Sequence, residues 1–248
     1  MTSLILALVA GGVVGLALGG LGGGGSMLTV PALIYLLGFT PARATTASLL
    51  IVAVTSLTGL LTHAGAGRVR WRSGALFAAA GLPAAAAVGA LSSALPSRIL
   101  TTAFAVLAGL AAWRMMTPRH ATAPVQAAGP VRSAAAGAGL GTVTGLLGVG
   151  GGFLAVPALI SVLAFPMAEA IGTSLLVISA NAVAALIPRL GHAGTIHWAV
   201  VGPFTAAAVL GAWDGKRWAG RLSGLVLQRT FAIVLLAVAA LMLASALT

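Results

Sequence analysis

The 248-residue sequence has no cysteine, one lysine and two carboxylates, Glu169 and Asp214, and only 6% of it is charged. An ordinary soluble domain carries about a quarter charged residues. Without cysteine there is no disulfide framework, no thiolate metal site and no thiol nucleophile. Two carboxylates, both in gaps between apolar stretches, leave almost no material for a buried proton relay. The glycine-rich "GGGGS" lacks the lysine that a nucleotide-binding P-loop requires. The four histidines have no metal-ligand spacing, so neither metal nor cofactor is expected.

Hydrophobic residues make up 60% of the chain. Stretches such as Leu4 to Gly20, Ala44 to Thr62, Gly74 to Leu95 and Thr230 to Leu247 approach the roughly 20 residues a helix needs to cross hydrocarbon. The formal charge of +11 comes from arginines scattered between these stretches. Positive charge sits that way at membrane faces, and nucleic acid is not expected as a partner. The first stretch has no basic leader before it and reads as a retained span.

The chain is duplicated. Sliding Gly15–Ile34 onto Gly141–Ile160 makes 12 of 20 positions identical, and "HAG" at His63 recurs at His192. The organisation expected is a first membrane repeat over 1–116, a cytoplasmic linker over 117–133 and a second repeat over 134–248. Repeats in membrane proteins point to transporters. If each half makes an odd number of crossings, ten of the thirteen cations share one face and only Arg43, Arg98 and Arg189 lie opposite. An even number splits them seven to six, and the positive-inside rule prefers the first distribution. The fold expected is therefore an all-α polytopic membrane protein of two inverted-topology repeats. Each is a glycine-broken helical hairpin plus three transmembrane helices, with 8–10 membrane segments in total and both termini non-cytoplasmic.

The repeated glycines carry the functional reading. Gly22, Gly24, Gly25 and Ser26 in one half match Gly148, Gly150, Gly151 and Gly152 in the other. Broken helix inside a bilayer exposes amides and carbonyls that lipid cannot satisfy, so it belongs where protein buries it or water reaches it. A fresh helix start after each break, near Ser26 and near Gly152, presents amide N–H groups and the positive end of a helix dipole. Two such starts form a site for a small anion without a buried cation. Close helix packing is the competing use of small residues. Pro31 and Pro157, several residues further on, are expected to kink their helices.

Other candidates each have a plainer role beside the functional one. Thr46 and Ser48, with Thr173 and Ser174, sit near the starts of paired helices, where a hydroxyl donates to an oxyanion or bonds back to its own backbone. Asn181 is costly in lipid and faces a cavity or a neighbouring helix. His63 and His192 gate or sense pH, or sit at headgroup level beside a loop. Arg189 attracts anions or snorkels. All five tryptophans fall at or near segment ends, as an aromatic belt does.

"GLLGVGGGFLAVPALI", "AIGTSLL" and "GHAGTIHW", with the looser copies "GLGGGGSMLTVPALI", "ATTASLL" and "HAGAGRVRW", resemble the sulfite exporter TauE/SafE family of membrane permeases. The C-terminal stretch Gly211–Leu243 is similar to the end of that family, so the resemblance spans essentially the whole chain. It implies a bacterial inner-membrane transporter of sulfite, sulfonates such as sulfoacetate, or related organosulfur anions. Its partners would be a small anionic substrate and the lipid bilayer. Transport is set against two rivals, a membrane-embedded hydrolase using Ser26 with His63 and a non-transporting scaffold.

Overall fold

The computed structural model describes residues 2–92, 97–116, 129–147, 152–187 and 197–247. Ten α-helices account for most of them: α1 (Thr2–Leu21), α2 (Gly24–Pro31), α3 (Pro41–Ala64), α4 (Trp71–Ser92), α5 (Ser97–Met116), α6 (Pro130–Leu147), α7 (Gly152–Ser161), α8 (Met167–Leu186), α9 (Trp198–Ala219) and α10 (Gly224–Leu247). Among the described residues there is no strand. Three helices, at Leu4–Leu21, Arg43–Ala64 and Met167–Leu186, are long and apolar enough to cross a membrane. Large apolar side chains such as Ile5, Val9, Val106, Leu210 and Ile233 stand exposed on the outside of the bundle, a surface that suits lipid.

Local chemistry explains the punctuation. Proline has no N–H and crowds the preceding turn. Pro31 accordingly ends α2, and the chain continues as a wide π-helical turn over Ala32–Leu36. Gly38 (φ +68°) then closes the turn, and the Phe39 N–H reaches back to the Leu33 carbonyl at 3.0 Å. The second half repeats the motif at Ala164 (φ 54°), where the Phe165 N–H reaches the Leu159 carbonyl at 3.1 Å. Pro41 starts α3 at a position where a missing N–H costs nothing. The expected linker is shorter at its end than its composition implied: residues 130–133 already belong to α6, and 117–128 lie outside the described residues.

The two halves interleave. The most extensive helix contacts are α1 with α9 and α4 with α6, each joining one half to the other. Gly11, Gly15 and Gly19 of α1 lie on the backbone of Phe204, Ala208 and Ala212 of α9, so closely that a Cβ would overlap the facing carbonyls. Gly137 and Gly141 of α6 meet Phe77 and Gly81 of α4 in the same way. Numbers rise together along both pairs, so the helices in each pair run parallel. In contrast, α3 and α8 run antiparallel: Gly59 faces Leu175, and Ser56 Oγ lies 2.9 Å from Ser179 Oγ. Small residues permit this approach, and backbone-to-backbone packing is what membrane helices rely on where apolar burial distinguishes little between protein and lipid.

Candidate functional site

Twenty residues of α1 rise about 30 Å, the thickness of a hydrocarbon core. The first glycine break therefore follows a full-length helix and does not interrupt one. At Gly22 the backbone turns left-handed (φ +72°), which L-residues with a side chain disfavour. A Cβ there would stand 2.7 Å from Ser174 Oγ and 3.2 Å from Val156 Cγ2. The break of the first half thus packs on α7 and α8 of the second. After it, Gly24, Gly25 and Ser26 form the first turn of α2, so the helix begins two residues earlier than expected.

The hydroxyl candidates divide between the two ends of the antiparallel α3/α8 pair. Thr173 and Ser174 are fully buried near the first break, whereas Thr46 and Ser48 belong to the opposite end. Ser48 Oγ donates to the Thr45 carbonyl and Ser174 Oγ to the Ile171 carbonyl, each at 2.8 Å. Both take the back-bonding role. Thr173 Oγ1 instead accepts the backbone N–H of Arg70 at 3.1 Å, tying the α3–α4 connection to α8. Asn181 lies on α8 two residues after Ser179, which bonds Ser56 of α3, and its Oδ1 is buried without a hydrogen-bond partner. Among the described candidates it shares with His63 a polar atom still open to a ligand or water.

His63 lies in the last turn of α3. It is buried, and its Nε2 meets the Gly19 carbonyl at 3.4 Å, which makes Nε2 the donor and leaves Nδ1 an acceptor with no partner. Lys216 Nζ donates to the neighbouring Thr62 carbonyl at 2.5 Å, so the ends of α1, α3 and α9 meet here. Of the remaining candidates, Gly152 is buried at the start of α7. Gly148, Gly150, Gly151, Arg189 and His192 lie outside the described residues.

Two polar contacts escape a reading of the sequence one half at a time. Arg70 Nε is ion-paired with Glu169 Oε2, and the guanidinium stands 5.1 Å from the centre of the Phe165 ring. At the other end of the α3/α8 pair, Arg43 Nη1 is 3.2 Å from His197 Nε2, and His197 meets the Phe39 ring edge-on at 6.0 Å. Under the repeat these are one arrangement seen twice: Phe39 matches Phe165, Arg43 matches Glu169, and His197 matches Arg70. The carboxylates are also placed differently from the expected gaps, since Glu169 lies in the first turn of α8 and Asp214 within α9.

Comparison with known proteins gives the family. Residues 7–242 match the family described as Sulfite exporter TauE/SafE. A Xylella fastidiosa (strain Temecula1) protein named "Probable membrane transporter protein" is 35% identical, over 96% of this chain and 94% of its own. A Bacillus subtilis (strain 168) protein named "Probable membrane transporter protein YunE" is 26% identical, over 94% of this chain and 91% of its own. A match across nearly the full length, carried by a helical bundle whose halves repeat each other down to their end contacts, has one meaning: the chain is a membrane protein of the sulfite exporter TauE/SafE family.

Proposed function

We propose that the chain is a secondary transporter, an exporter of small sulfur-containing anions such as sulfite or an organosulfonate, in the bacterial inner membrane. In this reading 1–116 and 134–248 are inverted repeats that rock about the α3/α8 pair, with the linker cytoplasmic and both termini outside. The observation that carries it is the crosswise packing: α1 on α9 and α6 on α4, with the first glycine break seated on the second half. Such an arrangement joins each half's hairpin to the other half's helices, so one rigid-body shift alters access at both breaks together.

The anion is held by main-chain N–H groups at the starts of α2 and α7, around Gly22, Gly24, Gly25 and Ser26 and around Gly148, Gly150, Gly151 and Gly152. Glycine lets an oxyanion approach the backbone, and the helix dipoles favour negative charge. Asn181 adds a polar contact from α8. Thr46, Ser48, Thr173 and Ser174 shape the walls, while His63, His192 and Arg189 sit along the approach. Export of a monoanion gains about 2.3 kcal/mol per 100 mV of inside-negative potential, so no nucleotide is needed.

Flux in proteoliposomes tests this. Sulfite and sulfoacetate are expected to move faster than sulfate, and an imposed inside-negative potential is expected to drive anion exit. Equal, potential-independent leakage of all three would refute transport. Labelling of single engineered cysteines in 117–128 and beyond Leu247 tests the topology, and labelling of both from the same side would refute the inverted arrangement.

A further inference from the structure

Two hollows lie around the end of α9, one of them against Gly20 and Leu21, which lead into the first glycine break. A hollow of about 510 Å³ is lined there by Arg68, Trp213, Lys216, Arg217 and Arg221. Carboxylates do little to neutralise it. Glu169 is occupied by Arg70, and Asp214 stands 3.6 Å from Arg217 in an exposed pair that water screens. Lys216 spends one of its three N–H donors on the Thr62 carbonyl.

Around the same end of α9 is a second hollow of about 470 Å³, lined among others by Leu16, Leu21, Trp218, Leu222 and Leu227. It is mostly apolar, with Asp214 and Thr230 also on its lining, and opens between the ends of α1 and α9 and the start of α10. Residues at the end of α9 alternate between the hollows: Gly215 and Ala219 line the oily one, Lys216 and, just past the helix, Gly220 the basic one. Trp213 and Trp218, both exposed, stand one on each side.

Cations in the last turn of a helix have a purely structural use, since they offset its negative end. That accounts for Lys216 and Arg217. It does not account for Arg68, which comes from the α3–α4 connection, nor for Arg221, which lies beyond the helix end, nor for the adjoining apolar groove. A ligand complementary to both hollows has an anionic head and a hydrocarbon tail.

We propose that the end of α9 binds an anionic glycerophospholipid, with its phosphate among Arg68, Lys216, Arg217 and Arg221 and an acyl chain in the groove between α1, α9 and α10. Basic clusters at membrane faces recognise headgroups in this way, and each cation near the surface contributes a comparable share. The lipid bridges the end of α9, which packs on α1, to the start of α10. The site is independent of which anion the transporter carries.

The chemistry shared with a free oxyanion is the phosphate charge, so the experiment separates the two sources. The full-length chain in detergent is titrated by native mass spectrometry with dioleoyl phosphatidylglycerol, with dioleoyl phosphatidylcholine and with inorganic phosphate. Phosphatidylglycerol is expected to bind well ahead of phosphatidylcholine, and millimolar phosphate is expected not to displace it. The variant R68Q/R221Q is expected to bind phosphatidylglycerol about fivefold more weakly for each charge removed. R68K/R221K and R43Q, whose arginine lies against His197 at the opposite end of α9, are expected to bind as the unaltered chain does. Arg221→Glu, in an exposed turn, gives the same reading should R68Q/R221Q not remain monodisperse. Equal binding of the two lipids, unchanged binding by the charge-removing variants, or displacement by phosphate would each overturn the proposal.

Discussion

The two ends of the α3/α8 pair are built on one plan with different charges. At one end Phe165, Glu169 and Arg70 join a ring, an anion and a cation; at the other, Phe39, Arg43 and His197 join a ring, a cation and an imidazole. The repeat preserved the geometry and not the electrostatics. Glu169 and Arg70 are about a third exposed, so their opposite charges attract with only part of the screening water supplies. Arg43 and His197 are exposed, and their contact is a single one between a guanidinium and a ring nitrogen. One end of the pair is therefore the firmer, and the looser end is the one expected to yield first when the halves move.

The comparison has a part that ought to be symmetric and parts that ought not. The symmetric part gives the largest effect: Gly11→Leu and Gly137→Leu each drive a side chain into a facing backbone carbonyl. Each is expected to cost about 3 kcal/mol or more and to abolish monodisperse protein on size exclusion. Tolerance of one and not the other would break the equivalence of the two interfaces. Next, Glu169→Gln removes the charge that faces Arg70, and thermal unfolding in detergent is expected to report a loss of about 1–2 kcal/mol.

Smaller effects sharpen the contrast. Gly38 and Ala164 occupy the same left-handed position, and only the second carries a Cβ there. Ala164→Gly is expected to raise stability by about 1 kcal/mol and Gly38→Ala to lower it by a similar amount. His197→Glu copies the firmer end onto the looser one. It is expected to add less than about 1 kcal/mol, because the pair is exposed, and to slow flux if the looser end is the one that opens.

What the sequence revealed and what it hid follow from the range of each interaction. The duplication, the glycine breaks, Pro31 and the tryptophan positions are local patterns, and each is visible within a few dozen residues. The stripe Gly11, Gly15, Gly19 is equally local, but its partner, the backbone of Phe204, Ala208 and Ala212 on α9, is almost two hundred residues away. Nothing in composition distinguishes that partner from other alanine-rich helices. His63 reads as a loop-side histidine because its burial depends on α1 and α9 meeting the end of α3. The Arg70–Glu169 and Arg43–His197 contacts could have been found by asking which charged or ring-bearing positions the repeat superposes across the halves. Ser48 and Ser174 show the limit of residue type as a guide: a hydroxyl near a helix start bonds to its own backbone as readily as to a ligand.

The central claim is that main-chain amides at the two glycine breaks hold the transported anion, and the most direct test replaces glycine there with a bulky residue. Sulfite flux is measured in proteoliposomes containing Gly24→Val, Gly150→Val or the unaltered chain, at matched amounts of monodisperse protein. Either substitution is expected to reduce flux at least tenfold, with no change in the size-exclusion profile. Flux at the unaltered rate in both variants would contradict the claim.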